Sequence, residues 1–190
     1  LILRADRTHD RRGGEGVLGC PNCRDRYPII DGFGDLRAPP RGELQKGLAG
    51  DPVRPAQEES ESLLALLGGT QGPATLLLIG GPAALGAGLA ALLDNIQVVG
   101  MDADLGTWSG DPSWNRIVSH PGIPFFSCTL RGVVIDGRLS RQWFEEAARV
   151  ITPVSRVIVV NAAPTAPEWL QDAGLEIMAD ESGRVVATSS

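Results

Sequence analysis

The second half of this 190-residue chain alternates short apolar runs with amphipathic stretches, and the alternation predicts its elements. TLLLI (75–79) is an apolar run, the pattern of a strand covered on both faces. Gly80-Gly81-Pro82 breaks it, and the small-residue run AALGAGLAALL (83–93) predicts a helix. IQVVGMD (96–102) predicts a second strand that ends in an acid; 103–115 reads as loop and RIVSH (116–120) as a short third strand. RGVVID (131–136) predicts a fourth strand. SRQWFEEAARVI (140–151) predicts an amphipathic helix, with Ser140 as N-cap and Glu145 spaced to pair with Arg149. SRVIVVN (155–161) is a fifth strand, and APEWLQDAG (166–174) a helix with Pro167 near its start and Gly174 at its end. LEIMADE (175–181) and GRVVATS (183–189) pair as a hairpin around Ser182-Gly183.

Strands alternating with helices predict an α/β, Rossmann-like three-layer sandwich with a mostly parallel sheet and a C-terminal β-hairpin. Ligands of such sheets bind at the carboxyl ends of the strands. That edge is formed here by the 80–84 turn, Asp102, the 119–130 loop, Asp136 and Asn161. The first third of the chain reads differently. LILRA (1–5), VLG and YPII predict short strands, with THDRRGGEG (8–16) as a polar turn. Residues 1–37 make a small β unit, 38–58 a linker rich in Pro, Gly and charge, and 59–190 the α/β domain, which opens on a short helix at 60–69.

Composition narrows the classes. The run 74–93 is twenty residues without a charge, nominally enough to span a bilayer. The central GGP would break a transmembrane helix, and neither end carries a basic cluster or an aromatic belt. A strand, a turn and a helix explain it better. Net charge is -6, and no basic stripe stands out, which argues against a nucleic-acid binder. The charge is uneven: residues 1–37 hold seven Arg against six acids, the remainder ten basic against seventeen acidic residues. Three cysteines do not make a disulfide framework, and no charged-then-apolar leader opens the chain at Leu1, so a reducing, cytoplasmic setting is expected.

With its elements in this order, 60–190 resembles a class I S-adenosylmethionine-dependent methyltransferase. RGVVIDGRLSRQWFEEAARVITPVSRVIVV is similar to that family's fourth strand, helix and fifth strand, and LEIMADESGRVVATSS fits its sixth and seventh strands. The resemblance implies S-adenosylmethionine as cofactor, held by a turn of the form (D/E)-x-G-x-G-x-G after strand one and by an acid ending strand two. Glycine serves in such a turn because a Cβ would collide or because φ is positive. Gly80 matches the first glycine, Gly81 follows it, and Asp102 stands where the ribose acid belongs. The leading acid is replaced by Leu78, the second glycine by Pro82 and the third by Ala84. Where some members hold the acceptor nitrogen after strand four, this chain reads Asp136-Gly137-Arg138, without their motif. Asp136 is either a site acid or the cap of the following turn. His120 is either a general base or a loop histidine without chemistry. Cys128 reads as a small buried filler. Trp108 and Trp114 either pack beneath their loop or form a hot spot for a partner. The GGPAAL turn carries only the first glycine of G-x-G-x-x-G, so an NAD(P)-dependent oxidoreductase has little support.

Residues 16–37 carry a second resemblance. LGCPNC…YPIIDGFGDL looks like the trailing half of the small zinc ribbons that act as activating subunits of methyltransferases and that occur fused before bacterial methyltransferase domains. It implies that Cys20 and Cys23 hold a structural zinc, with the ribbon's first Cys pair falling before Leu1. Zinc takes four soft or imidazole ligands. His9, in a turn rich in Arg and Gly, would be a poor substitute for the missing thiolates. A redox pair fits less well, because thioredoxin-type C-x-x-C opens a helix. Taken together, the expectation is a degenerate methyltransferase-like protein acting as a non-catalytic interaction or scaffold subunit for a protein partner. The alternative is an active, divergent S-adenosylmethionine-dependent methyltransferase using Gly80, Gly81 and Asp102.

Overall fold

The structure is a computed structural model that describes residues 2–9, 12–22, 24–52, 57–68 and 72–189. Among these residues, eleven strands form one sheet: β1 (Ile2–His9), β2 (Arg12–Gly19), β3 (Arg26–Ile30), β4 (Phe33–Asp35), β5 (Ala74–Ile79), β6 (Ile96–Met101), β7 (Asn115–Val118), β8 (Leu130–Asp136), β9 (Ile151–Val160), β10 (Glu176–Glu181) and β11 (Arg184–Thr188). Their order across the sheet is β1-β2-β3-β4-β7-β6-β5-β8-β9-β11-β10. The block β4-β7-β6-β5-β8-β9 is parallel, and the flanks β1–β4 and β9-β11-β10 are antiparallel.

Helices α1 (Gln57–Leu66), α2 (Gly86–Leu92), α3 (Arg141–Val150) and α4 (Ala166–Asp172) cover the two faces. Both faces of β5 are covered, which explains why Leu76 to Ile79 are all apolar. Leu76 and Leu78 point to the face lined by Leu63, Leu89, Val98 and Trp114; Leu77 and Ile79 point to the face lined by Phe144, Ala147, Val150 and Leu170. Leu76, Leu77 and Leu78 are completely buried. The 74–93 stretch is thus strand, 3-10 turn (Gly81–Leu85) and helix. No helix among the described residues is long and apolar enough to cross a membrane.

Several expectations need correcting. In the polar stretch 8–16 the described residues 8–9 and 12–16 are strand, with His9 opposite Arg12, while residues 10 and 11 lie outside the described residues; a ladder needs only backbone donors and acceptors, and this stretch has no proline to withhold one. Within the sheet, Phe33, Gly34 and Asp35 pair in parallel with Arg116, Ile117 and Val118. The first two described helical residues, Gln57 and Glu58, come from the expected linker. Ser140 occupies the N-cap position of α3 without a side-chain cap hydrogen bond. Arg149 pairs with Glu146 at 2.7 Å rather than with Glu145, which takes Arg141 at 3.0 Å. The reason is tertiary. From its place beside Glu146, Arg149 also donates to the carbonyls of Ile123 and Phe125, and Glu146 accepts the Ile123 N–H, so the pair clamps the 119–130 loop.

Candidate functional site at the carboxyl ends of the strands

Gly80 ends β5 with φ +75° and ψ −139°, a conformation that a side chain would strain, and donates its N–H to the Met101 carbonyl at the end of β6. The first glycine of the turn is therefore required by the backbone itself. Gly81 is required by its neighbours. A Cβ there would stand 2.5 Å from Asp136 Oδ2, 3.1 Å from the Arg138 guanidinium and 3.3 Å from the Leu48 carbonyl oxygen.

Asp136 closes β8 with its side chain fully buried. It accepts the Arg138 backbone N–H at 3.0 Å and two bonds from the Arg138 guanidinium at 2.8 and 2.7 Å, with the Asn161 amide at 3.3 Å. Burial pushes this carboxyl up, but the Arg138 side chain, its backbone N–H and Asn161 together hold it below the usual carboxylate range. Asp136 thus caps its own turn and anchors a guanidinium lying over the glycine turn.

Asp102 follows β6 and is only 8% exposed. Its Oδ1 accepts the Asp104 N–H at 2.8 Å, which makes Asp102 the cap of a 3-10 turn (Ala103–Thr107). Its Oδ2 accepts the N–H of Leu48 at 2.8 Å. Leu48 belongs to the expected linker, 54 residues upstream, which lies across the strand ends as a strap. Asp104 takes two more strap donors, Gly47 N–H at 2.9 Å and Gly50 N–H at 3.1 Å. Desolvation drives the Asp102 carboxyl above its ordinary value, and the nearby Asp104 charge adds to this. The N–H groups of Leu48, Asp104 and Ala49 pull the other way. The two strand-end acids are held by different means, one by neutral donors and the other by a cation.

Beneath the strap lies a cavity of about 510 Å³, lined by strap residues from Arg37 to Gln45 and by Ile79, Gly80, Met101, Asp102, Val118, His120, Leu139 and Trp143. His120 is exposed and meets Trp143 edge-on at 6.4 Å. Of the 119–130 loop, Ser119 and His120 reach this cavity, while Cys128 and Thr129 hydrogen-bond to the end of α3 beside the start of β8. Cys128 is exposed at φ +55°, not a buried filler; it sits in a turn whose N–H reaches the Arg149 carbonyl. Trp114 is 4% exposed and packs flat space left by Gly86 and Gly100, so it belongs to the core and not to a contact surface. Trp108 meets it edge-on at 6.3 Å and remains half-buried.

In this arrangement the three residues that the resemblance assigns to a cofactor are already in use by the chain. Leu48 and Asp104 hold Asp102, and the space over Gly81 is taken by Asp136, Arg138 and the Leu48 carbonyl. Arg138 and the strap were not legible as site residues, since neither carries a motif. A third unanticipated residue is Arg116, 2% exposed, whose guanidinium donates to the carbonyls of Leu105, Trp108 and Asp31. It ties the N-terminal strands to the Trp108 loop, and burial lowers its pKa.

Following the carboxyl end of β2, on the same edge of the sheet, Cys20 is half-buried in a tight turn, with its carbonyl accepting the Arg24 N–H at 3.0 Å and its N–H donating to the Asp25 carbonyl at 2.9 Å. Cys23 lies outside the described residues. His9 is not in a turn: it ends β1, whereas Gly19, next to Cys20, pairs with Ile2 at the strand's beginning. The length of an eight-residue strand, roughly 25 Å, separates the two. His9 and Gly19 thus stand at opposite ends of the β1–β2 ladder, and no cluster of three metal-ligating side chains occurs among the described residues.

No protein-family model matches the chain, and no curated protein does. Solved structures do. TrmN from Thermus thermophilus aligns with a TM-score of 0.52 at 15% identity, covering 75% of this chain and 51% of that one. The [4+2]-cyclase SpnF aligns at 0.51 and 16% identity, covering 74% and 66%. The antibiotic-resistance methyltransferase Kmr aligns at 0.50 and 14% identity, covering 69% and 93%. This chain has the class I methyltransferase fold. At such identities the likeness concerns the fold alone, and one of these three is named a cyclase, so the fold does not fix the chemistry.

Proposed function

We propose that this protein is a degenerate methyltransferase-like subunit that serves as a non-catalytic interaction or scaffold component for a protein partner in the cytoplasm. The observation that carries this reading is the Leu48 N–H bound to Asp102 at 2.8 Å, with Asp104 N–H on the other carboxylate oxygen. A ribose diol would need those same acceptor positions. The glycine turn supports the same reading, because Gly81 faces the Asp136–Arg138 pair and leaves little room for a ligand's polar head. The cavity of about 510 Å³, walled by His120 and Trp143, favours the second reading, an active divergent S-adenosylmethionine-dependent methyltransferase. Calorimetric titration of the whole chain with S-adenosylmethionine separates the two. No heat of binding at millimolar cofactor is expected; a micromolar dissociation constant would overturn the scaffold reading.

The N-terminal strands and the half-buried Trp108 supply the contact surface in this reading, joined through Arg116. Cys20 and Cys23 form half of a structural zinc site there. Elemental analysis of the purified protein is expected to find one zinc per chain, and metal-free, fully folded protein would reject the zinc.

A further inference from the structure

The strap differs in kind from everything it touches. It contains neither helix nor strand from 36 to 52, and none of residues 41–52 is buried. Its hold on the body is mainly polar: Ala49 packs against the apolar core, and the other ties are hydrogen bonds, among them Arg41 donating to the Arg26 carbonyl at 2.8 Å. Arg37, paired with Asp35 at 2.8 Å, donates to the carbonyls of Gly42 and Glu43, and the N–H groups of Gly47, Leu48 and Gly50 reach Asp104 and Asp102. The floor beneath is packed sheet, with Ile79 2% and Met101 3% exposed. Segments with few buried apolar contacts open at a small fraction of the global unfolding free energy, whereas strands in a core do not. A segment held by backbone donors on two carboxylates, above a ready-made cavity, has the construction of a gate.

We propose that residues 41–50 are a displaceable lid, latched by Asp102 and Asp104, which gates access to the cavity at the carboxyl ends of β5, β6 and β7. The closed state is the one described above. In the open state the Asp102 and Asp104 carboxylates face solvent and the cavity floor becomes reachable. Any ligand that contacts Asp102 then competes with the lid, so its apparent affinity is its intrinsic affinity multiplied by the open fraction. A partner that binds the released strap would open the site by the same linkage.

Two glycines in the lid give the test its control. A methyl group at Gly47 would overlap the Asp102 carboxylate, so Gly47→Ala cannot latch, whereas Gly42 has open space around it and Gly42→Ala fits. Amide hydrogen exchange on the full chain reads the result. In the wild type, Leu48 and Gly50 should exchange at least tenfold faster than the β5 and β8 amides, at rates independent of low denaturant. Gly47→Ala should speed both amides by a further tenfold or more while β5 and β8 stay protected; Gly42→Ala should match the wild type. Should Gly47→Ala unfold the whole chain, Asp104→Asn, which weakens two latches and adds no bulk, must speed Gly50 in the same direction. Exchange of Leu48 and Gly50 only through global unfolding would overturn the lid, as would equal protection in the Gly47 and Gly42 variants. The readout needs no ligand, so it fails or succeeds apart from the cofactor titration.

Discussion

Asp102 and Asp136 stand at the ends of neighbouring parts of one parallel sheet, both nearly or fully hidden from solvent, and their environments push them in opposite directions. Asp136 has an arginine two residues on, in a turn tight enough for a bidentate pair, and its carboxyl is stabilised in the charged form. Asp102 has only backbone N–H groups, one from its own turn and others from a strap far upstream, and its charged form is penalised by burial. A carboxylate tied to a fixed cation belongs to the scaffold. One satisfied by a detachable segment keeps the option of a different partner, and this separates architecture from site in a sheet where both residues read alike.

Arg138→Ala is the most direct way to break the contrast. It leaves Asp136 buried with backbone and amide donors alone, and should lower stability by about 2 kcal/mol in denaturant titration. Its effect should exceed that of Leu48→Ala, which keeps the N–H on Asp102; equal losses would show that the two acids are held alike. A subtler test uses pH. An acid whose folded pKa is depressed contributes stability above its unfolded pKa, near 3.9, and loses it as pH falls through the folded value. Asp136 behaves so. An acid whose folded pKa is raised does the reverse: its contribution is present below about 3.9 and is lost as pH rises through the raised value. Asp102 behaves so. Asp136→Asn should therefore flatten the fall in stability on the acid side of pH 4, and Asp102→Asn the fall above it, each by about 1 kcal/mol or less in thermal melts across pH 3–6. A common direction for both would erase the comparison.

Much of the fold was legible because it follows from local patterns. TLLLI and RGVVID are short apolar runs, SRQWFEEAARVI carries a period of 3.6, and Ser182-Gly183, at φ +54° and +73°, turns the last hairpin as its residue types suggest. Asp102 and Gly80 were also found at the strand ends. The partners of those residues were not. Glu145 and Arg149 have suitable helical spacing, yet the 119–130 loop supplied a better set of acceptors beside Glu146. Trp114 looked like a loop tryptophan until Gly86 and Gly100 left space for its ring. Arg116, at the start of RIVSH, gave no sign that it would be buried among three carbonyls.

From β5 onward the order of strands and helices, and the positions of the turn and of the two acids, were determined by the sequence alone, because hydrophobic period and turn chemistry act over a few residues. What covers Asp102 was decided by the tertiary structure. Leu48 and Asp102 are 54 residues apart, and their hydrogen bond exists because β4, β6 and β7 lie side by side and carry the strap across the strand ends. A Pro- and Gly-rich stretch has no period to announce where it will lie. Its place is set by the few carboxylates able to satisfy its backbone, and those come together only once the sheet has formed.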